Sequence, residues 1–310
     1  MPLRRRPSRR HELLAQVVPR LRRSRELDSP EAERARLETW HTTLDRSFPT
    51  SSVPLFGRRY AVVREELPAG FPAYTLTRRG STPTRTVVYV HGGGFVGPLD
   101  PFHVRYAARL ASALGVRVVL PDYPLTPEHT WRDSHDPLVT LVERWLGESP
   151  DGVVLAGDSA GGGLALALAL TLRDRGGPQP THLLLHSPWV DLTTSTPETF
   201  EVTVEDPWLF IGKMQAYASW WAGSAEDPAE LARPEVSPAL GDLAGLPPAL
   251  MFFGTRDSLA PGGRLLARRA AEAGWPLTFV EEPGLIHVYP LLPFLPEARR
   301  AWQRTLDFLR

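Results

Sequence analysis

Val153-Val154-Leu155-Ala156-Gly157-Asp158-Ser159-Ala160-Gly161-Gly162 decides the reading of this 310-residue chain. Four apolar residues run into a glycine, a serine is flanked two positions away on each side by Gly157 and Gly161, and a helix-forming stretch over 162–173 follows. A strand that turns sharply into a helix raises the serine on a strained bend, and side chains at the flanking positions would collide where strand and helix approach. The positive end of the helix would lie beneath an oxyanion forming there. Such a pattern also recurs as a plain tight glycine turn, so the decision rests on its surroundings.

Those surroundings are regular. Apolar, β-rich runs at 86–90, 116–120, 152–156, 183–186, 249–253 and 277–281 alternate with helix-length segments at 102–114, 133–146, 162–173, 263–273 and 297–310. Unbroken apolar runs mean strands buried on both faces, as in a parallel sheet. The alternation predicts an α/β architecture: a mostly parallel wound sheet with helices on both faces. Upstream, 60–65 and 73–77, separated by Pro68-Ala69-Gly70, predict an antiparallel pair at the sheet edge. Residues 1–50 predict one or two amphipathic helices, with Leu13, Leu14, Val17, Val18 and Leu21 at helical spacing. From Trp189 to about Leu246 the rhythm breaks, which reads as an insertion. Its Trp208, Phe210, Tyr217, Trp220 and Trp221 either line an apolar acyl pocket or pack inserted helices, packing being the commoner role for any single aromatic.

Composition narrows the chemistry. Basic and acidic residues number 35 each, so no net field points to nucleic acid or an anionic membrane, and a neutral small molecule suits the chain. The absence of cysteine excludes disulfides, thiolate metal sites and a cysteine nucleophile. Arg4-Arg5-Arg6 and Arg9-Arg10 resemble the charged start of a signal peptide, yet Glu12, Gln16 and Pro19 interrupt the next stretch, and no apolar core succeeds them. The longest apolar run, 164–170, falls far short of the roughly 20 residues that span a bilayer. The expectation is a cytoplasmic protein without stable membrane insertion, monomeric or homodimeric, needing neither metal nor organic cofactor.

A second glycine motif, His91-Gly92-Gly93-Gly94-Phe95, directly follows the strand at 86–90. Successive glycines leave backbone N–H groups free to meet a tetrahedral intermediate, at about 3 kcal/mol per donor. The bland alternative is a flexible loop. A phosphate cradle is disfavoured, because neither a Gly-Lys-Ser/Thr ending nor a G-x-G-x-x-G opening is present. A serine hydroxyl needs a histidine base and an acid to orient it, and in this strand-turn-helix arrangement both follow the serine in the chain. Three histidines do so: His182 and His186 belong to a strand, whereas His287 lies in a loop after the strand at 277–281. Asp257 lies in the loop after 249–253, at the carboxyl end where such sheets build their sites, ahead of Asp191, Asp206, Asp242, Glu281 and Glu282. Asp158 reads as a brace for the elbow and His91 as a holder of the glycine loop.

Together these motifs resemble the hormone-sensitive-lipase-like carboxylesterases, a family with the α/β-hydrolase fold. The resemblance rests on His-Gly-Gly-Gly-Phe at 91–95, Asp-Tyr-Pro-Leu-Thr-Pro-Glu-His at 122–129, Gly-Asp-Ser-Ala-Gly-Gly at 157–162, Asp-Ser-Leu at 257–259 and His287. It implies a triad of Ser159, Asp257 and His287, an oxyanion hole from the amides of Gly93, Gly94 and Ala160 with the choice of glycine pair open, and hydrolysis of short to medium acyl esters through an acyl-enzyme. It also implies a helical cap from residues 1–50 and about 189–240 over a catalytic domain of 51–310. Pro124, Thr126 and Val288-Tyr289 depart from the usual pattern, away from the triad. The same machinery could act on lactones, acetylated sugars or amides. A non-catalytic ligand-binding protein on this fold is the alternative from another class, and His287 speaks against it.

Overall fold

The computed structural model describes residues 6–21, 26–223, 227–292 and 294–310. The Arg4-Arg5-Arg6 cluster lies largely outside them, as does the side chain of Leu21. Two helices, α1 (Arg9–Leu21) and α2 (Pro30–Thr42), come first, followed by the short α3 (Phe56–Arg59). Ser29 caps α2 by accepting from the Ala32 amide, with Pro30 in the first turn. Then come β1 (Tyr60–Glu66), β2 (Pro72–Arg78), β3 (Thr86–Val90), α4 (Pro101–Leu114), β4 (Arg117–Pro121), α5 (Trp131–Glu148), β5 (Val153–Asp158) and α6 (Ser159–Asp174). After β6 (His182–His186) lie α7 (Glu198–Thr203), α8 (Ile211–Ala222) and α9 (Pro228–Leu231), and β7 (Ala249–Gly254), α10 (Ala260–Glu272), β8 (Leu277–Glu282) and α11 (Pro296–Leu309) complete the order.

Among the described residues the strands form one eight-stranded sheet in the order β1-β2-β4-β3-β5-β6-β7-β8. The β1/β2 and β2/β4 pairs are antiparallel and every pair from β4 to β8 is parallel. Alternate residues of one strand feed two cores: Val88, Leu155 and Leu185 face α5, α6 and α10, whereas Val87, Val154 and Leu184 face α4 and α11. The central strands are buried throughout, so their sequences read as continuous apolar runs.

Two helix boundaries and one helix face differ from expectation. Helix α6 begins at Ser159 itself, three residues before Gly162, because β5 passes directly into it without a loop. Helix α5 carries Pro137 in its interior and still runs from Trp131 to Glu148. On α1 the inward face is His11, Ala15 and Val18, with Leu14 partly covered, while Leu13 and Val17 of the expected apolar set are exposed. The described residues between β6 and β7 hold helices and no strand, and no described helix is long and apolar enough to cross a membrane.

Candidate active site

Strand β5 delivers Ser159 at φ 51°, a left-handed conformation that costs a non-glycine residue of order 1–3 kcal/mol. The bend is enforced by contact. A Cβ on Gly157 would lie 2.5 Å from the Gly161 carbonyl oxygen, and one on Gly161 would lie 2.2 Å from that of His91. The elbow is thus packed backbone to backbone against the loop that follows β3.

The Ser159 hydroxyl donates to His287 Nε2 at 2.9 Å, and His287 Nδ1 donates to Asp257 Oδ2 at 3.0 Å. Asp257 Oδ1 accepts the Leu259 amide at 3.0 Å, which fixes the carboxylate's orientation. All three residues are buried. They come from the carboxyl ends of β5, β7 and β8. Burial pushes the His287 imidazole toward its neutral form, but the adjacent Asp257 carboxylate, helped by Asp206 and Asp158, outweighs this and leaves it above the ordinary histidine range.

Asp158 Oδ1 accepts the Gly92 amide at 3.1 Å and the Tyr89 hydroxyl at 2.8 Å, tying the elbow to the glycine loop. Burial alone would raise this carboxyl; the charge and hydrogen bond of His103 and the bond from Tyr89 bring it down to about 2. With the Gly92 N–H occupied, Gly93 and Gly94 follow with φ of 123° and 64°, and no described backbone acceptor engages their amides. The Ala160 N–H lies in the first turn of α6, where a helix has no acceptor of its own. His91 Nδ1 donates to the Gly92 carbonyl at 2.8 Å, and burial holds its imidazole down to about 4. The 122–129 segment braces the same loop: Tyr123 donates to the His91 carbonyl at 2.8 Å, and the Thr126 amide donates to the Phe95 carbonyl at 2.8 Å.

The rival residues are engaged elsewhere. His186 bonds the Tyr106 hydroxyl at 2.9 Å, and His182 meets Arg85 at 3.3 Å. Asp191 accepts from Thr193 and Ser195. Asp206 has a part that the sequence did not suggest. Its Oδ2 accepts the Ser258 amide at 2.7 Å and hydroxyl at 2.8 Å, and its Oδ1 takes the Trp208 amide at 2.8 Å. Trp208 in turn sets its ring against His287, centroids 5.7 Å apart at 81°. On the other flank, Tyr217 of α8 would touch a Gly94 Cβ at 3.3 Å, and its hydroxyl donates to Glu33 of α2. Trp221 stacks on Phe95 at 4.1 Å. No sequence spacing links these partners, because they meet only once the sheet has formed. Among the described residues no group of three or more His, Asp or Glu is gathered as for a metal ion.

A wound α/β sheet with a serine elbow, a histidine and a carboxylate in one hydrogen-bonded line defines the serine-hydrolase class. The profile of a family described as alpha/beta hydrolase fold matches residues 87–291. An acetyl-hydrolase of Streptomyces hygroscopicus is 35% identical over 229 residues, 73% of this chain and 75% of that protein. The carboxylesterase NlhH of Mycobacterium tuberculosis is 32% identical over 234 residues, 72% of each. The crystal structure of an esterase from the bacterial hormone-sensitive lipase family superposes with a TM-score of 0.78 at 28% identity, covering 99% of both chains. EstE5, soaked with p-nitrophenyl butyrate, superposes with a TM-score of 0.79 at 25% identity over 98% of both chains. The chain belongs to the hormone-sensitive-lipase-like carboxylesterases of the α/β-hydrolase fold.

Proposed function

We propose that the chain hydrolyses short to medium acyl esters through an acyl-enzyme formed on Ser159. The hydrogen-bonded line from Ser159 through His287 to Asp257 carries this reading. His287 Nε2 takes the serine proton as Oγ attacks the ester carbonyl, and Asp257 holds the imidazole's tautomer and stabilises its charged form. The amides of Gly93, Gly94 and Ala160 receive the oxyanion; the Gly92 amide is held by Asp158, which favours the later pair of glycines. His287 then protonates the departing alkoxide, and a water molecule, deprotonated by the same nitrogen, attacks the acyl-enzyme and frees the acid.

Residues 1–50 and about 189–240 serve as a cap over this centre. The contacts of α1 with the His287 loop, of α2 with Tyr217, and of Trp208 with His287 support that role. Aromatic walls at Trp208 and Tyr217 suit a compact neutral acyl group, as do relatives named for acetyl hydrolysis.

The test is a series of p-nitrophenyl esters from acetate to palmitate, with Ser159→Ala as control. Turnover should be highest on the shorter members and fall on the alanine variant by about 10⁴-fold or more. A fluorophosphonate probe should label the wild type at Ser159. Undiminished turnover by the alanine variant sinks the assignment, and failure of the probe to react favours a ligand-binding protein.

A further inference from the structure

The backbone N–H of each residue flanking His287 is held by a side chain. The Val288 N–H donates to Ser187 Oγ at 3.1 Å, and the Ile286 N–H donates to Nε2 of His11 at 3.1 Å. His11 lies 275 positions away in the chain, on α1, and is fully buried. An amide can donate only to a ring nitrogen that carries no proton, so this bond requires His11 in its neutral form with Nε2 as the lone-pair atom. Ser8 fastens the start of the same helix by donating its amide and hydroxyl to Glu297 at 2.7 and 3.1 Å. Ala15 and Val18 complete the seat against Ile286, Leu295 and Ala298.

We propose that His11 is a positioning residue of the hydrolytic reaction: its Nε2 lone pair anchors the backbone immediately before His287 and so keeps the imidazole in line between Ser159 and Asp257. The inference rests on the triad reading above. The charged groups facing His11 are Glu297 and Glu12, which favour its cation, and Arg256, which opposes it. Burial is the largest influence and leaves the ring below the ordinary histidine range, so the acceptor survives at every pH where His287 can act as a base.

Two substitutions test it in the full chain. His11→Phe keeps the ring's bulk but removes the acceptor; His11→Gln places an amide oxygen near the position of Nε2. The phenylalanine variant should lose about tenfold or more in kcat on p-nitrophenyl butyrate with KM within about twofold, since small misplacements of a catalytic group are felt in turnover. Its acid limb in kcat should move to lower pH, because a histidine loosened from Asp257 loses the charge that raises it. The glutamine variant should recover most of the turnover and the wild-type limb. Wild-type kcat in the phenylalanine variant overturns the proposal, and so does an equal loss in both variants with an unmoved limb and a lowered melting temperature, the pattern of a purely structural residue. Retained activity in Ser159→Ala would instead sink the triad reading, whatever His11 does.

Discussion

A methyl group on Gly161 would meet two carbonyl oxygens, those of His91 at 2.2 Å and Val90 at 2.3 Å. Backbone cannot yield there without parting α6 from the end of β3, so Gly161→Ala is expected to abolish esterase activity and sharply lower the yield of folded protein, read by circular dichroism and turnover. Asp257 makes a subtler prediction. His287 must be neutral to act as base, and its affinity for protons is raised; activity should therefore be lost as pH falls through a midpoint above 6.5. Asp257→Asn removes the charge that raises it, so the midpoint should drop while kcat falls by about 10⁴-fold, the order seen when a triad's acid is neutralised. A pH–rate profile with an unmoved midpoint would contradict this. Ser159, Asp257 and His287 are all legible in the sequence because each stands just beyond an apolar run. Asp206, Ser187 and His11 are not, since hydrogen bonds across 52, 101 and 275 positions leave no periodic trace.

Strands are easier to read than helices, for a physical reason. A strand covered on both faces calls for an unbroken apolar run, as in Val87–Val90, and the pattern announces itself. Helix α1 offers several apolar positions, and which of them faces inward depends on a surface formed by Ile286, Leu295 and Ala298 far along the chain. Periodicity alone therefore turns Leu13 inward, although 63% of it is exposed. The loop before α8 shows what tertiary partners add. One carboxylate, Asp206, accepts from Ser258 twice, from Trp208 and from Leu209. Asp206→Ala leaves these buried donors unsatisfied and should cost about 3 kcal/mol in urea unfolding, with a fall in kcat as the Asp257 and Trp208 segments loosen. Trp221→Ala, which empties the stack on Phe95, should cost a similar 3–5 kcal/mol.

At the scale of the whole molecule, buried histidines govern the response to acid. His91 and His186 are held down to about 4 by burial, and His11, His135 and His182 are lowered for the same reason. An unfolded chain binds these protons near pH 6.5 and the folded one resists them, so stability is full above 6.5 and declines as pH falls toward 4. His287, raised by its carboxylate neighbours, works in the opposite sense. Thermal unfolding should accordingly shift down from pH 7 to pH 5, with about 2 kcal/mol lost for each of His91 and His186. A melting temperature that is flat across this range would count against it.

The seat of α1 against Ile286, Leu295 and Ala298 joins residues that are made at different times. Synthesis produces Ser8 and His11 long before their partners Glu297 and Ile286, which lie 289 and 275 positions further along. A nascent chain that has already made the elbow at Ser159 still lacks its base, its acid and the seat for its first helix. On the proposed triad, the growing polypeptide is therefore expected to stay silent toward esters until Asp257 and His287 have been made and α1 has closed on the segment around Ile286.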